Sequence, residues 1–250
     1  MQAKSSDEVV AATDLEQSKL KWGPSSAVII SFLAYIIAQL ILFIPIALIA
    51  AVNHGQDIQT VLDNSAWLQL VLTGISSATL ILVLWLFLRR RQSSFRVLGF
   101  RTFKYSDAGW AIIGLVVYYA MLVAALSLAN LIPGFDLEQT QTIGYASANG
   151  WQLSLAFIGL VILPPLAEET LFRGFLYRGL ASRWPKLLAA VFASLLFAIV
   201  HWQWNVGIDV FILSMVMIAL YEKTKNLWVC VALHGIKNLI AFLMLFVFKG

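Results

Sequence analysis

From residue 27 onward the chain alternates long apolar runs with short polar connections. A hydrocarbon core about 30 Å thick takes about 20 apolar helical residues to cross, and the first run, Ala27 to Val52, exceeds that. It is also too long for a secretory signal core and lacks a small-residue cleavage site, so it reads as a permanent span. Further runs lie at about Ala66 to Leu88, Asp107 to Leu131, Trp151 to Leu171, Leu187 to Trp202, Gly207 to Tyr221 and Leu227 to Phe248. The pattern predicts an all-α fold: a polytopic transmembrane helical bundle of seven or eight spans. Residues 23–250 form one domain, preceded by a polar tail over residues 1–22 that shows no face to bury.

The basic residues orient the spans. Arg89, Arg90, Arg91, Arg96, Arg101 and Lys104 fall between the second and third runs, Arg173, Arg178, Arg183 and Lys186 in the segment 172–186, and Lys223 and Lys225 in 222–226. Connections 53–65 and 132–150 hold no Lys or Arg. Since cytoplasmic loops carry the excess of Lys and Arg, this alternation predicts a cytoplasmic N-terminus in a multi-pass protein, with a bacterial cell membrane as its expected location.

Composition agrees: 60% of residues are hydrophobic, 12% are charged and mean hydropathy is +0.84, outside the range of a soluble domain. The net charge of +4 belongs to the flanks of the spans, so nucleic acid is excluded as a partner. The single cysteine, Cys230, rules out an intrachain disulfide and a Cys-based metal site, and reads as a small buried apolar residue.

Against this background the polar residues of the last 90 positions stand out. An ionisable side chain in hydrocarbon costs about 2.5–3.5 kcal/mol on insertion scales, so a cluster of them indicates function. Glu169 and Arg173 lie four apart, on one helix face and in the favourable order for an ion pair. Glu168 points about 100° away and is free for chemistry. Counting along a hairpin that turns at Trp184 and Pro185 brings His201 to the depth of Glu168, while Phe197, one turn before it, either shields the site or packs in the core. His234 and Asn238 share a face of the last span; Lys237 beside them reads as a counter-charge or snorkelling side chain, and Asp209 as an interfacial carboxylate. One count conflicts. His234 lies about 13 Å into its helix and His201 about 25 Å into the hairpin, so the site is expected to close only if the segment with Arg178 and Arg183 lies along the interface.

Two routes to amide hydrolysis use these groups. Glu168 and His201 can activate water while His234 and Asn238 donate to the oxyanion. Alternatively Glu168, His201 and His234 can hold a catalytic zinc ion, the one cofactor these residues allow. A proton- or ion-coupled transporter also uses buried ionisable groups, but no motif is duplicated between the two halves. A non-proteolytic scaffold or immunity protein is the third reading.

Glu168-Glu169-Thr170-Leu171-Phe172-Arg173, then Phe197-Ala198-Ile199-Val200-His201, then His234-Gly235-Ile236-Lys237-Asn238 resemble, in order and spacing, the motifs of the CAAX protease and bacteriocin-processing family, which includes the Rce1-type prenyl-protein endopeptidases. The resemblance implies an intramembrane endopeptidase, of metalloprotease or glutamate type, acting on a membrane-associated peptide or protein substrate. It assigns Glu168 as general base, His201 as its partner, His234 and Asn238 as oxyanion donors, and Glu169 with Arg173 as the supporting pair. No His-Glu-x-x-His, Gly-x-Gly-Asp or Gly-x-Ser-Gly motif of other intramembrane proteases is present.

Overall fold

A computed structural model describes residues 20–52, 57–134, 145, 148–201 and 204–248. Eight helices occur among them: α1 (Pro24–Val52), the short α2 (Ile58–Asp63), α3 (Ala66–Arg90), α4 (Tyr105–Ala129), α5 (Gln152–Ala181), α6 (Lys186–Ile199), α7 (Trp204–Thr224) and α8 (Leu227–Val247). Each predicted span has its helix. Of these, α1, α3, α4, α5 and α8 are long and apolar enough to cross a membrane, whereas α6 has only 14 residues and α7 carries Asp209, Glu222 and Lys223. No strand occurs among the described residues.

Helix α1 packs small residues inward and large apolar ones outward. On α1 the buried positions are Ala27, Ser31, Ala34 and Ala38, at spacings of three and four, while Ile29, Phe32, Leu33, Leu40, Phe43 and Ile44 are exposed. Lipid removes the hydrophobic penalty on exposed side chains, so close approach of small residues holds the helices together. Gly179 of α5 shows how close: a Cβ there would stand 2.5 Å from the Cβ of Ala27 and 2.7 Å from the indole of Trp22. Trp22, at the end of the polar stretch, is buried, stacks on Phe175 at 5.0 Å and donates its indole N–H to the Phe175 carbonyl.

Helix α5 differs from the sequence expectation. It does not end at Leu171 but runs on to Ala181, so Arg173 and Arg178 lie in a buried helix and not in a connection. Both cations have partners inside the protein. Arg173 pairs with Glu169, and Arg178 donates to the carbonyl of Val97 in the 3-10 turn Phe95–Leu98. Within α5, residues Ile158–Ile162 and Thr170–Tyr177 form π-helical turns, the wider i→i+5 geometry that recurs at functional sites.

The expectation that the Arg178 segment must lie along the interface is therefore corrected, and the depth conflict has another solution. Helix α8 starts well inside the level at which α5 ends. Its first N–H, from Leu227, donates to the carbonyl of Gly99 at 2.9 Å, and the Leu227 side chain sits beside Gly174. Asn226 caps α8 by accepting from Trp228 N–H and ties it to the 99–107 segment through Thr102 O and Asp107 Oδ2. From this raised start, seven residues carry His234 to the level of Glu169.

The Gly179 contact predicts that Gly179→Val, which overpacks the α1–α5 seam, costs about 1–3 kcal/mol. Thermal unfolding of the purified protein should show a lowered midpoint, with Gly179→Ala falling between the variant and wild type.

Candidate active site

Two consecutive prolines shape the approach to the site. Pro164 and Pro165 carry no N–H, so the carbonyl of Leu160 has neither an i+4 nor an i+5 partner within its own helix. An unsatisfied carbonyl inside a membrane is costly, and Asn238 of α8 supplies the missing donor, its Nδ2 lying 2.9 Å from Leu160 O. Gly235, one turn earlier on α8, lets the helix approach the neighbouring carbonyl of Val161, which would lie 3.4 Å from a Cβ at that position.

Beyond the prolines, Glu168 and Glu169 close the α-helical piece Leu163–Glu169, just before the second π turn. Glu169 is fully buried, and its Oε1 accepts two hydrogen bonds: from Arg173 Nη1 at 2.9 Å and from His234 Nδ1 at 2.8 Å. Arg173 is also fully buried and lays its guanidinium over the Phe197 ring, 4.3 Å from the centroid. Glu169 Oε2 and Arg173 Nε and Nη2 have no hydrogen-bond partner among the described residues. Because a carboxylate can only accept, His234 must carry its proton on Nδ1, leaving Nε2 as the nitrogen available for chemistry.

His201 is fixed in the same sense. It follows the last turn of α6, and its Nδ1 lies 2.7 Å from the carbonyl of Phe197, an acceptor, so Nε2 is again the free nitrogen. Phe197 joins the parts: fully buried, it meets His201 at 4.9 Å, His234 at 6.2 Å and Phe172 at 4.8 Å between ring centroids, beneath the Arg173 cation. Of the two roles open to it from sequence, its full burial fits core packing, and its ring contacts both imidazoles.

Glu168 faces another way, as its position one residue from Glu169 predicts. It is partly exposed and, with Pro164 and Ala167, lines a cavity of about 240 Å3 walled by Leu42 of α1 and by Leu72, Thr73, Ser76, Ser77 and Leu80 of α3. Sequence reasoning passed over a link between the halves of the site. Tyr35 of α1 donates its hydroxyl to the carbonyl of Val200 at 2.8 Å, next to His201, and lies within the field of the Glu168 carboxylate. Tyr35 and Gln39, a polar pair one turn apart in an otherwise apolar run, were the available signal.

Asp209 and Lys237 form a separate cluster. Lys237 Nζ lies 3.1 Å from Asp209 Oδ2, and Tyr118 of α4 donates to Oδ1 at 2.5 Å, so Lys237 is the counter-charge that its position suggested. Among the described residues, no three or more His, Cys, Asp or Glu side chains are grouped to hold a metal ion. The conditional ligand set of Glu168, His201 and His234 therefore does not fit a bound zinc ion in this geometry.

The buried triad generates a stability prediction. Arg173→Met should destabilise the protein by about 3–5 kcal/mol, because it strands a buried carboxylate, and Glu169→Gln in the same chain should restore much of the loss. Thermal unfolding of the two variants reads the difference. Comparison with known proteins bears on the same segment. Residues 149–240 match the family described as type II CAAX prenyl endopeptidase Rce1-like. No curated protein and no solved structure matches the chain. The matched residues hold Glu168, Glu169, Arg173, Phe197, His201, His234 and Asn238, so the segment that carries the three motifs is the one similar to that family.

Proposed function

We propose that the protein is an intramembrane endopeptidase that hydrolyses a peptide bond of a membrane-associated substrate with water activated by Glu168 and His201, without a metal ion. The observation that carries this reading is the fixing of both imidazoles through Nδ1, by Glu169 and by the Phe197 carbonyl, which leaves two Nε2 atoms for the reacting groups. The Rce1-like match supports a protease of the CAAX type.

In this mechanism Glu168 takes a proton from water while His201 Nε2 accepts a hydrogen bond from the same molecule and aligns it. The water oxygen bonds to the carbonyl carbon, and the carbonyl oxygen becomes an oxyanion. His234, carrying a proton on Nε2 as well as on Nδ1, donates from Nε2 to that oxygen. One Asn238 N–H is committed to Leu160 O, which leaves the second for the oxyanion. Collapse of the intermediate breaks the C–N bond, and the proton held by Glu168 passes to the leaving amine. The products are a carboxylic acid and an amine, which leave as a carboxylate and an ammonium once the acid's proton passes to the amine.

Two outcomes follow. Glu168→Gln and His201→Ala should each lower cleavage of a membrane-associated reporter peptide by at least about 100-fold while the purified variants unfold at the wild-type temperature. Retained cleavage in either variant refutes the assigned roles. Cleavage by wild type should also withstand exhaustive chelation; loss of activity that added zinc restores would overturn the metal-free mechanism.

A further inference from the structure

We propose that Tyr35 is a positioning residue of this site, whose hydroxyl holds the last turn of α6 and with it the imidazole of His201. The inference rests on the proteolytic reading and extends it to a helix that carries none of the three motifs. Helix α6 stops at Ile199, only 14 residues from its start, and Val200 caps it. The carbonyls of a helix's last turn have no partner within the helix, and the surrounding spans are apolar. The Tyr35 hydroxyl donates to the Val200 carbonyl at 2.8 Å from 165 residues away in sequence.

The same turn sets the geometry of His201. Its backbone N–H donates to Ala198 O at 3.1 Å and its Nδ1 to Phe197 O at 2.7 Å, so the ring moves with the turn. Tyr35 therefore fixes the position of His201 Nε2 without touching the ring. It also lies within the field of Glu168, and the Gln39 side chain interacts with the phenol from one turn further along α1. Tyr35 thus stands where the two groups assigned to activate water come from different helices and need a common reference. A misplacement of about 1 Å in such a site costs up to about 100-fold in rate.

Tyr35→Phe deletes one O–H and keeps the ring. Measured per folded molecule well below the unfolding temperature, kcat should fall about 10- to 100-fold with KM within about twofold. In the same variant, labelled with 15N-histidine, the ring resonances of His201, assigned through His201→Ala, should move from their wild-type positions while those of His234 stay. His201 resonances that coincide with wild type overturn the proposal, and so does a kcat within about twofold of wild type in an active enzyme. If wild type cleaves nothing, the proteolytic reading fails by itself, and the resonance shift alone decides whether Tyr35 positions His201.

Discussion

A single carboxylate oxygen, Glu169 Oε1, receives a guanidinium from its own helix and an imidazole from the last one. In a medium of low dielectric constant an isolated carboxylate or guanidinium would be expelled or neutralised, so neither charge can be buried without the other. Their pairing lets α5 carry Arg173 through the interior. The third member, His234, then locks α8 to α5 at the level of the site. Phe197 closes the assembly by placing its ring under the cation and its carbonyl under His201. Three helices are thus tied together around groups that would each be unfavourable alone.

The backbone obeys the same rule. Where prolines remove donors from α5, Asn238 provides one; where α6 ends early, Tyr35 does. Both irregularities adjoin the groups assigned to chemistry. Regular spans such as α3 and α4 need no such help, and their faces carry the large apolar residues that meet lipid. At the two irregularities, side chains from other helices restore the hydrogen bonds that the backbone has lost.

The seven helical runs were legible because apolar continuity is what a membrane helix requires, and the Glu169–Arg173 pair because helical spacing of four is local. The fourth span runs past the expected end at Leu171, where charges normally mark a loop; Arg173 stays helical because Glu169, one turn back, absorbs its charge, and Arg178 because the Val97 carbonyl, 81 residues away, accepts from it. The contact of His234 with Glu169 spans 65 residues and has no local signature. Asn238's bond to Leu160 could have been read from the adjacent prolines, and Tyr35 from its pairing with Gln39. The structure brings Glu169, Arg173 and His234 of the three motifs into contact, and the different surroundings of Glu168 and Glu169 follow from the turn of a helix.

The short reach of α6 sets a length scale. Fourteen helical residues rise about 21 Å from the basic end of the bundle to the turn that bears His201. An extended peptide covers about 3.3–3.6 Å per residue, so one entering from that end must thread about six residues before a bond lies beside the imidazole. Under the proposed function, a substrate arriving through the lipid as a helix meets the opposite demand: it must unwind, surrendering internal hydrogen bonds beside the cavity where hydroxyls of Thr73, Ser76 and Ser77 and the Glu168 carboxylate can replace them. Under the proposed function, the depth of one helix end would discriminate among substrates by free tail length and by helix stability, before any side chain is read.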